Sequence, residues 1–249
     1  MDLQDSAALV TGGTGGLGRI ICRGLAARGA AVAVGYGGRR AEAEALAAEL
    51  CRQGGRAIAV GVDVTSPEAV RQAAERTTRE LGGLDILVND AAYNTWIAFP
   101  DLEALTLEIW QKILDVNLTG PFLCIKAAAP FLKQRGRGRI VNITSIAGLH
   151  PIGSSIAYSV SKAALVHLTR CMAVALAPEV LVNSVAPGYM EGTKMSDALS
   201  PEYRERAQQG ALLRRGADKA DVAAAAVEFC RTDSITGQTL VIDAGRIFH

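Results

Sequence analysis

The 249-residue chain carries almost no surplus charge: 26 Lys and Arg stand against 25 Asp and Glu. Without a basic balance there is no electrostatic footprint for nucleic acid or for an anionic membrane surface, and neither partner is expected. Aromatic residues are scarce at 5%, against 49% apolar residues in all, so a core must be built from Val, Ile, Leu and Ala. Cysteine is sparse too. Cys22, Cys51, Cys124, Cys171 and Cys230 form an odd set at wide spacing with no CxxC pair. Such a set offers neither a disulfide framework nor a zinc pattern; free thiols in a reducing cytoplasm are expected, and no metal site. No apolar run approaches the roughly 20 residues that span a bilayer. The opening MDLQDSAALVTGG is acidic and lacks the pattern of a signal peptide. Repeats, low-complexity tracts and linkers are missing as well, so residues 1–249 read as a single domain.

What is present is alternation. Short apolar, β-branched runs fall at 7–11, 30–36, 57–62, 84–89, 139–144, 180–185 and 239–243, with helical patterns near 17–28, 40–53, 67–81, 106–134, 156–177 and 217–230. Strand–helix–strand order implies parallel strands with crossover helices. Runs apolar on both faces imply strands buried between two helix layers. The expectation is an α/β fold: a doubly wound, seven-stranded parallel sheet of Rossmann type. The stretch QRGRGRI at 134–140 reads as a solvated turn before a strand.

The first strand runs directly into TGGTGGLGR, residues 11–19, and then into a helix. Glycine is needed where backbone must turn tightly and approach a pyrophosphate, and the helix start offers free N–H groups and a positive dipole end. Thr11, Gly12, Thr14, Gly16, Leu17 and Gly18 are the candidate contacts. By itself the loop fits both T-G-x-x-x-G-x-G and T-G-x-x-G-x-x-G. At the end of strand two, where an acid would take a ribose 2′-OH, Tyr36 stands instead, followed by Arg39 and Arg40. Guanidinium groups favour a 2′-phosphate, so NADP is the preferred cofactor and NAD the alternative. Asp63, with Val64 beside it, is placed to accept from an adenine amino group, while Ser66 before Pro67 reads as the cap of the next helix.

The segment 143–162, ITSIAGLHPIGSSIAYSVSK, carries the chemistry. Tyr158 and Lys162 are four residues apart in a helical pattern and share a face. An adjacent ammonium is expected to lower the phenol pKa from about 10 toward neutrality, which makes a general acid or base of it. Ser145, at a strand end, can hydrogen-bond the reacting oxygen.

In this ordered set the chain resembles the short-chain dehydrogenase/reductase family, in its short single-domain branch and close to 3-oxoacyl-acyl-carrier-protein reductases. The similarity covers nearly the whole length. It rests on Thr11 to Gly18, Asp63-Val64, Asn89, Asn117 in DVNLTG, Ser145, Tyr158-x-x-x-Lys162, Pro187-Gly188 and the ending ITGQTLVIDAG, and it selects T-G-x-x-x-G-x-G. The resemblance implies an NAD(P)-dependent hydride transfer between nicotinamide and a carbonyl or alcohol carbon. Tyr158 would be the acid/base, and Lys162 would bind the nicotinamide ribose and lower the tyrosine pKa. Ser145 would position substrate, and Asn117 would hold a water leading from Lys162 to solvent. Pro187, Gly188 and Thr193 would serve the carboxamide, and Asn89 and Ala91 would border the adenosine ribose and the central strand.

The chain also departs from the family pattern. Asp90 and Ala92 stand in NDAA where the family usually reads N-N-A-G, and Thr193 lies one residue beyond its usual place. Asp90 adds a charge that needs a partner. Substrate walls are expected from Trp96, Ile97, Leu149, Ile152, Tyr189, Met190 and Met195, with a lid near 189–213; their apolar character suggests an apolar or acyl carbonyl substrate. Small residues in the helices near 106–134 and 156–177 agree with the family's helical dimer face, and a homotetramer is expected. The alternatives are a catalytically silent dinucleotide sensor or structural subunit, which would usually have lost Tyr158 or Lys162, and an epimerase or dehydratase using the same tyrosine.

Overall fold

The computed structural model of the protein describes residues 1–197 and 199–248, without the side chains of Lys194 and Met195. Seven strands form one sheet: β1 (Ala7–Thr11), β2 (Ala31–Tyr36), β3 (Ala57–Gly61), β4 (Ile86–Asn89), β5 (Gly138–Ile143), β6 (Val180–Pro187) and β7 (Thr239–Ile242). All neighbours are parallel, in the order β3-β2-β1-β4-β5-β6-β7. The helices are α1 (Gly18–Ala26), α2 (Arg40–Arg52), α3 (Pro67–Leu81), α4 (Leu107–Leu114), α5 (Gly120–Gln134), α6 (Ile156–Leu176), α7 (Lys194–Asp197), α8 (Pro201–Gln209) and α9 (Lys219–Arg231).

The double winding follows from the apolar runs. In β1, Ala8 and Val10 belong to a cluster with residues of α1, α2 and α9, whereas Ala7 and Leu9 belong to a second with residues of α3, α5 and α6. The inner strands β2, β1, β4, β5 and β6 thus bury both faces, which is why their sequences lack alternation, whereas the edge strands β3 and β7 are only partly buried. Strand order reverses between β1 and β4, and the crevice beyond their carboxyl ends is where such sheets bind ligands. Thr11 pairs with Asn89 and Asn89 with Asn142 at that edge.

The sequence pattern placed these elements well, with four exceptions. The expected helix 106–134 is interrupted by a π turn, Asp115–Thr119, around Asn117. Two lid helices, α7 and α8, form where no helical pattern was read. The arginines of QRGRGRI are more than a solvated turn: Arg135 is exposed and Arg137 half-buried, yet both donate to buried Asp85, at 2.8 and 3.3 Å, and Arg139, already in β5, is buried against Asp233 and the Thr232 carbonyl. Finally, α6 is long and apolar enough by composition to span a membrane, contrary to the expectation that no segment would be. It is a core helix here, packed on β6 and burying Lys162.

Candidate active site

The phosphate loop leaves β1 at Thr11. Gly12 turns with φ +67°, and a Cβ there would lie 2.8 Å from the backbone nitrogen of Ala91, so only glycine lets the loop rest on the chain leaving β4. The Thr11 hydroxyl accepts from the N–H groups of Asp90 and Ala91, both at 3.2 Å, and ties the two strand ends together. Gly13 donates to the Gly35 carbonyl of β2, and Gly15 donates within the loop to the Gly12 carbonyl. The N–H groups of Thr14, Gly16 and Leu17 meet no acceptor among the described residues. Three free donors at the start of α1, with Gly192 and Thr193 bordering them at Gly16, fit a dinucleotide diphosphate.

Two features border this loop. Thr193 packs against Gly16, where a Cβ would lie 3.3 Å from the threonine methyl group, so the shifted residue still reaches the dinucleotide crevice; its hydroxyl accepts from Ser196 N–H in α7. On the other side, Arg19 donates to the Thr14 and Gly15 carbonyls and pairs with Glu42 at 3.2 Å; Arg39 pairs with the same carboxylate at 3.5 Å. Arg40 is turned outward to Glu44 at 2.7 Å. Tyr36 ends β2 beside Gly61. Arg19 was not singled out in the sequence, although it directly follows Gly18.

The catalytic group assembles from β5 and α6. Ser145 lies just beyond β5, and its hydroxyl accepts from Ala147 N–H. Ser155 caps α6 by accepting from Tyr158 N–H at 3.1 Å, which fixes Tyr158 in the first turn. One turn on, Lys162 is buried and donates to the Ile143 carbonyl at 2.8 Å. Its Nζ is 5.8 Å from the centre of the Tyr158 ring. The Ser145 hydroxyl lies near enough to the phenol to favour its ionised form. Asn117 is fully buried: its amide donates to the Tyr93 carbonyl and to Ser161 Oγ and accepts from Tyr93 N–H.

The electrostatics differ from expectation. Burial pushes the Tyr158 phenol up to about 12, opposed by the Ser145 hydrogen bond and reinforced by the nearby Tyr203 and Asp90. No lowering by Lys162 offsets this, because the ammonium points to Ile143 and is itself pushed down to about 8 by burial, with Asp90 supporting its charge. The expected fall of the tyrosine toward neutrality is therefore not found.

Other candidates take different places. Asn89 ends β4 at the edge of the crevice, and its side chain is turned into the sheet, where its amide donates to Asn142 Oδ1 at 2.8 Å and its own Oδ1 is buried with no partner among the described residues. Val64 packs against Gly120. Asp63 accepts from the Thr65 N–H and hydroxyl, which hold its carboxyl below the usual range, and Ser66 caps α3 as its place before Pro67 implies. Gly188 lies so close to Asp243 that a Cβ would come within 2.7 Å of the aspartate Cβ, and Pro187 pairs with Ile242.

Among the expected substrate walls, Met190 packs against the core cluster instead, and Ile97 is buried and bonded to the Ser154 carbonyl. Leu149 and Ile152 are half-buried. The side chain of Met195 lies outside the described residues. Trp96 remains 45% exposed and meets Tyr203 of α8 edge to face, ring centres 4.8 Å apart. Tyr203 carried no signal in the sequence, since α8 itself was not anticipated. A cavity of about 460 Å³ opens in the lid between Tyr189, Glu191, Asp197, Arg204 and Gln208. Its lining is polar and contains none of the catalytic residues, unlike the apolar wall that was expected.

A family model described as short chain dehydrogenase matches residues 6–204. The chain belongs to the short-chain dehydrogenase/reductase family. It is 38% identical over 240 residues to a putative ketoacyl reductase 2 of granaticin polyketide synthase from Streptomyces violaceoruber, covering 96% of this chain and 94% of the relative. To a 3-oxoacyl-[acyl-carrier-protein] reductase from Synechocystis sp. it is 37% identical over 250 residues, covering 98% of each. A short-chain type dehydrogenase/reductase from Mycobacterium marinum superposes with TM-score 0.91 at 35% identity, over 98% of this chain and 96% of that one. A short chain dehydrogenase from Burkholderia cenocepacia J2315, solved in complex with NADP, superposes with TM-score 0.90 at 35% identity over 99% of both chains. This short-chain dehydrogenase/reductase is an NAD(P)-dependent oxidoreductase acting between a carbonyl and an alcohol.

Proposed function

We propose that the protein reduces the keto group of an acyl thioester with NADPH, as a cytoplasmic homotetramer. The observation that carries the reading is the meeting of Ser145, Tyr158 and Lys162 at one end of the sheet, with Lys162 buried below the phenol ring. Burial raises the phenol, so at neutral pH it stands as a proton donor for reduction, while the direction of net turnover follows the cofactor ratio. A bound nicotinamide supplies the hydride to the carbonyl carbon. Tyr158 gives its proton to the carbonyl oxygen, Ser145 donates a second hydrogen bond to that oxygen, and Lys162 supplies positive charge one turn below.

Arg19 and Arg39, gathered around Glu42 at the end of β2, support a 2′-phosphate and so NADPH. The neighbour solved with NADP supports the same choice. The acyl substrate is supported by relatives named ketoacyl and 3-oxoacyl reductases. Exposed Phe122, Val160 and Val174 on α5 and α6, and Leu240 and Phe248 near the end of the chain, are apolar surface of the kind that subunit contacts cover. The cysteines are all free, in keeping with a reducing compartment.

The test follows NADPH and NADH oxidation with 3-oxoacyl thioesters, simple ketones and cyclic ketones, alongside the mass in solution. NADPH oxidation with thioesters, by a particle of four times the chain mass, is expected. Turnover confined to other ketones would overturn the substrate class, and no turnover on any carbonyl would overturn the enzymatic reading.

A further inference from the structure

A carboxyl group lies in the floor of the phosphate loop. Asp90 follows β4, and its Oδ2 is directed at the turn into α1: a Cβ on Gly18 would fall 2.8 Å from it and one on Gly15 3.6 Å. The Gly18 N–H faces the carboxylate and favours its ionised form. Asp90 therefore engages the same helix end that presents the free N–H groups of Thr14, Gly16 and Leu17. A diphosphate arriving there meets a second anion. Like charges at such range disfavour ionisation of the group that can take a proton.

The charged and titratable groups around Asp90 come from two helices. From α6, Lys162 supports the carboxylate, and Tyr158 is a neutral neighbour. From α1, Cys22 is held as a thiol by burial, and Arg19 is turned away toward the Thr14 and Gly15 carbonyls and Glu42. On the strand side, the Thr11 hydroxyl accepts the Asp90 N–H. One cation thus faces Asp90, and it is set by Ile143 as much as by the carboxylate.

We propose that Asp90 is a positioning residue that must be protonated for the loop to take a dinucleotide diphosphate, so that binding carries a proton from solvent into the site. A protonated carboxyl presents a carbonyl oxygen to the Gly18 N–H and a hydroxyl donor beside it, the hydrogen-bonding pattern of a side-chain amide. Burial already raises Asp90, to about 8, so the group can be charged in the free protein and neutral in the complex near that pH. The proposal rests on the dinucleotide reading of the loop. It requires no catalysis.

Titration calorimetry of the full chain with NADP⁺, in two buffers of different ionisation enthalpy at pH 6, 8 and 9, counts the protons exchanged. Uptake of about half a proton per site at pH 8, approaching one at pH 9 and vanishing at pH 6, is expected for the wild type. Its Kd should rise by up to about tenfold per pH unit above pH 8. Asp90→Asn should bind at every pH with no uptake and a flat Kd. Binding by the wild type without uptake overturns the proposal. So does equal uptake in D90N, because the proton would then be entering at Lys162, which loses its supporting carboxylate in that variant. Should D90N not fold, the wild-type proton count alone decides. If neither protein binds NADP⁺ while both are folded, the dinucleotide reading itself fails, and the proposal with it.

Discussion

The ammonium of Lys162 donates to the carbonyl oxygen of Ile143 across 2.8 Å, joining the helix that carries Tyr158 to the strand that leads to Ser145. The bond is buried, so it both sets the geometry of the site and closes a backbone acceptor. Lys162→Met should lower kcat by at least about a hundredfold, the scale of a displaced acid/base group. It should also cost about 1–3 kcal/mol of stability for the orphaned Ile143 carbonyl. Steady-state kinetics and urea unfolding check the two effects separately. Loss of stability with unchanged kcat would reduce Lys162 to a structural role.

Tyr158→Phe removes only the phenolic oxygen and keeps the ring packed in the first turn of α6. Turnover should fall by about 10²–10⁴-fold or more, while dinucleotide affinity, followed by nicotinamide fluorescence, should stay within twofold, roughly, of wild type. Retention of substantial activity would mean that another group handles the proton.

The pH dependence follows from the directions of two shifts. Tyr158 is raised to about 12, so it keeps its proton throughout the neutral range and sets no limb on reduction there. Alcohol oxidation needs the phenolate and should climb by about tenfold per pH unit between pH 7 and 10. Lys162 is lowered to about 8 and loses its charge above that value, so kcat/KM for reduction should decline on the alkaline side. Profiles of both directions from pH 6 to 10 test this; a reduction rate rising between pH 8 and 10 would contradict it.

The proposed preference for NADPH rests on guanidinium groups at the end of β2. Replacing Arg39 and Arg40 by Ala should raise the KM for NADPH by several-fold more than that for NADH. Arg19→Ala should act in the same direction, since Arg19 shares Glu42 with Arg39 whereas Arg40 is turned to Glu44. An unchanged NADPH/NADH ratio in all three would move the preference to NAD.

Trp96 and Tyr203 close the loop after β4 against the lid, and Tyr203 also approaches the catalytic phenol. Tyr203→Ala should raise the substrate KM while leaving NADPH affinity unchanged, at a cost of about 0.5–1.5 kcal/mol from the aromatic pair. Equal losses for substrate and cofactor would mean that the lid serves the whole crevice.

Much of this was legible in local pattern. The apolar runs located all seven strands because both faces of a parallel sheet are buried, and the glycine turn between strand and helix announced the phosphate loop. Ser145, Tyr158 and Lys162 were legible because their spacing follows from the helix period and a strand end. Other residues were misread or left unplaced for want of neighbours. Nothing local says that Asn89 turns toward Asn142, that Met190 joins the core, or that Arg135 and Arg137 converge on Asp85, since each partner is far away in the chain.

The order of residues alone was sufficient for the class of fold and the family, and it nominated the glycine loop and Ser145, Tyr158 and Lys162 as the candidate site, because periodicity and motif spacing act within a few turns of chain. Burial and long-range packing set the rest. They hold Tyr158 as an acid, direct Lys162 to Ile143, aim Asp90 at the start of α1 and bring Tyr203 over the site. Desolvation and charge coupling depend on what surrounds a group in space, and those surroundings come from strands and helices that meet only when the sheet is complete.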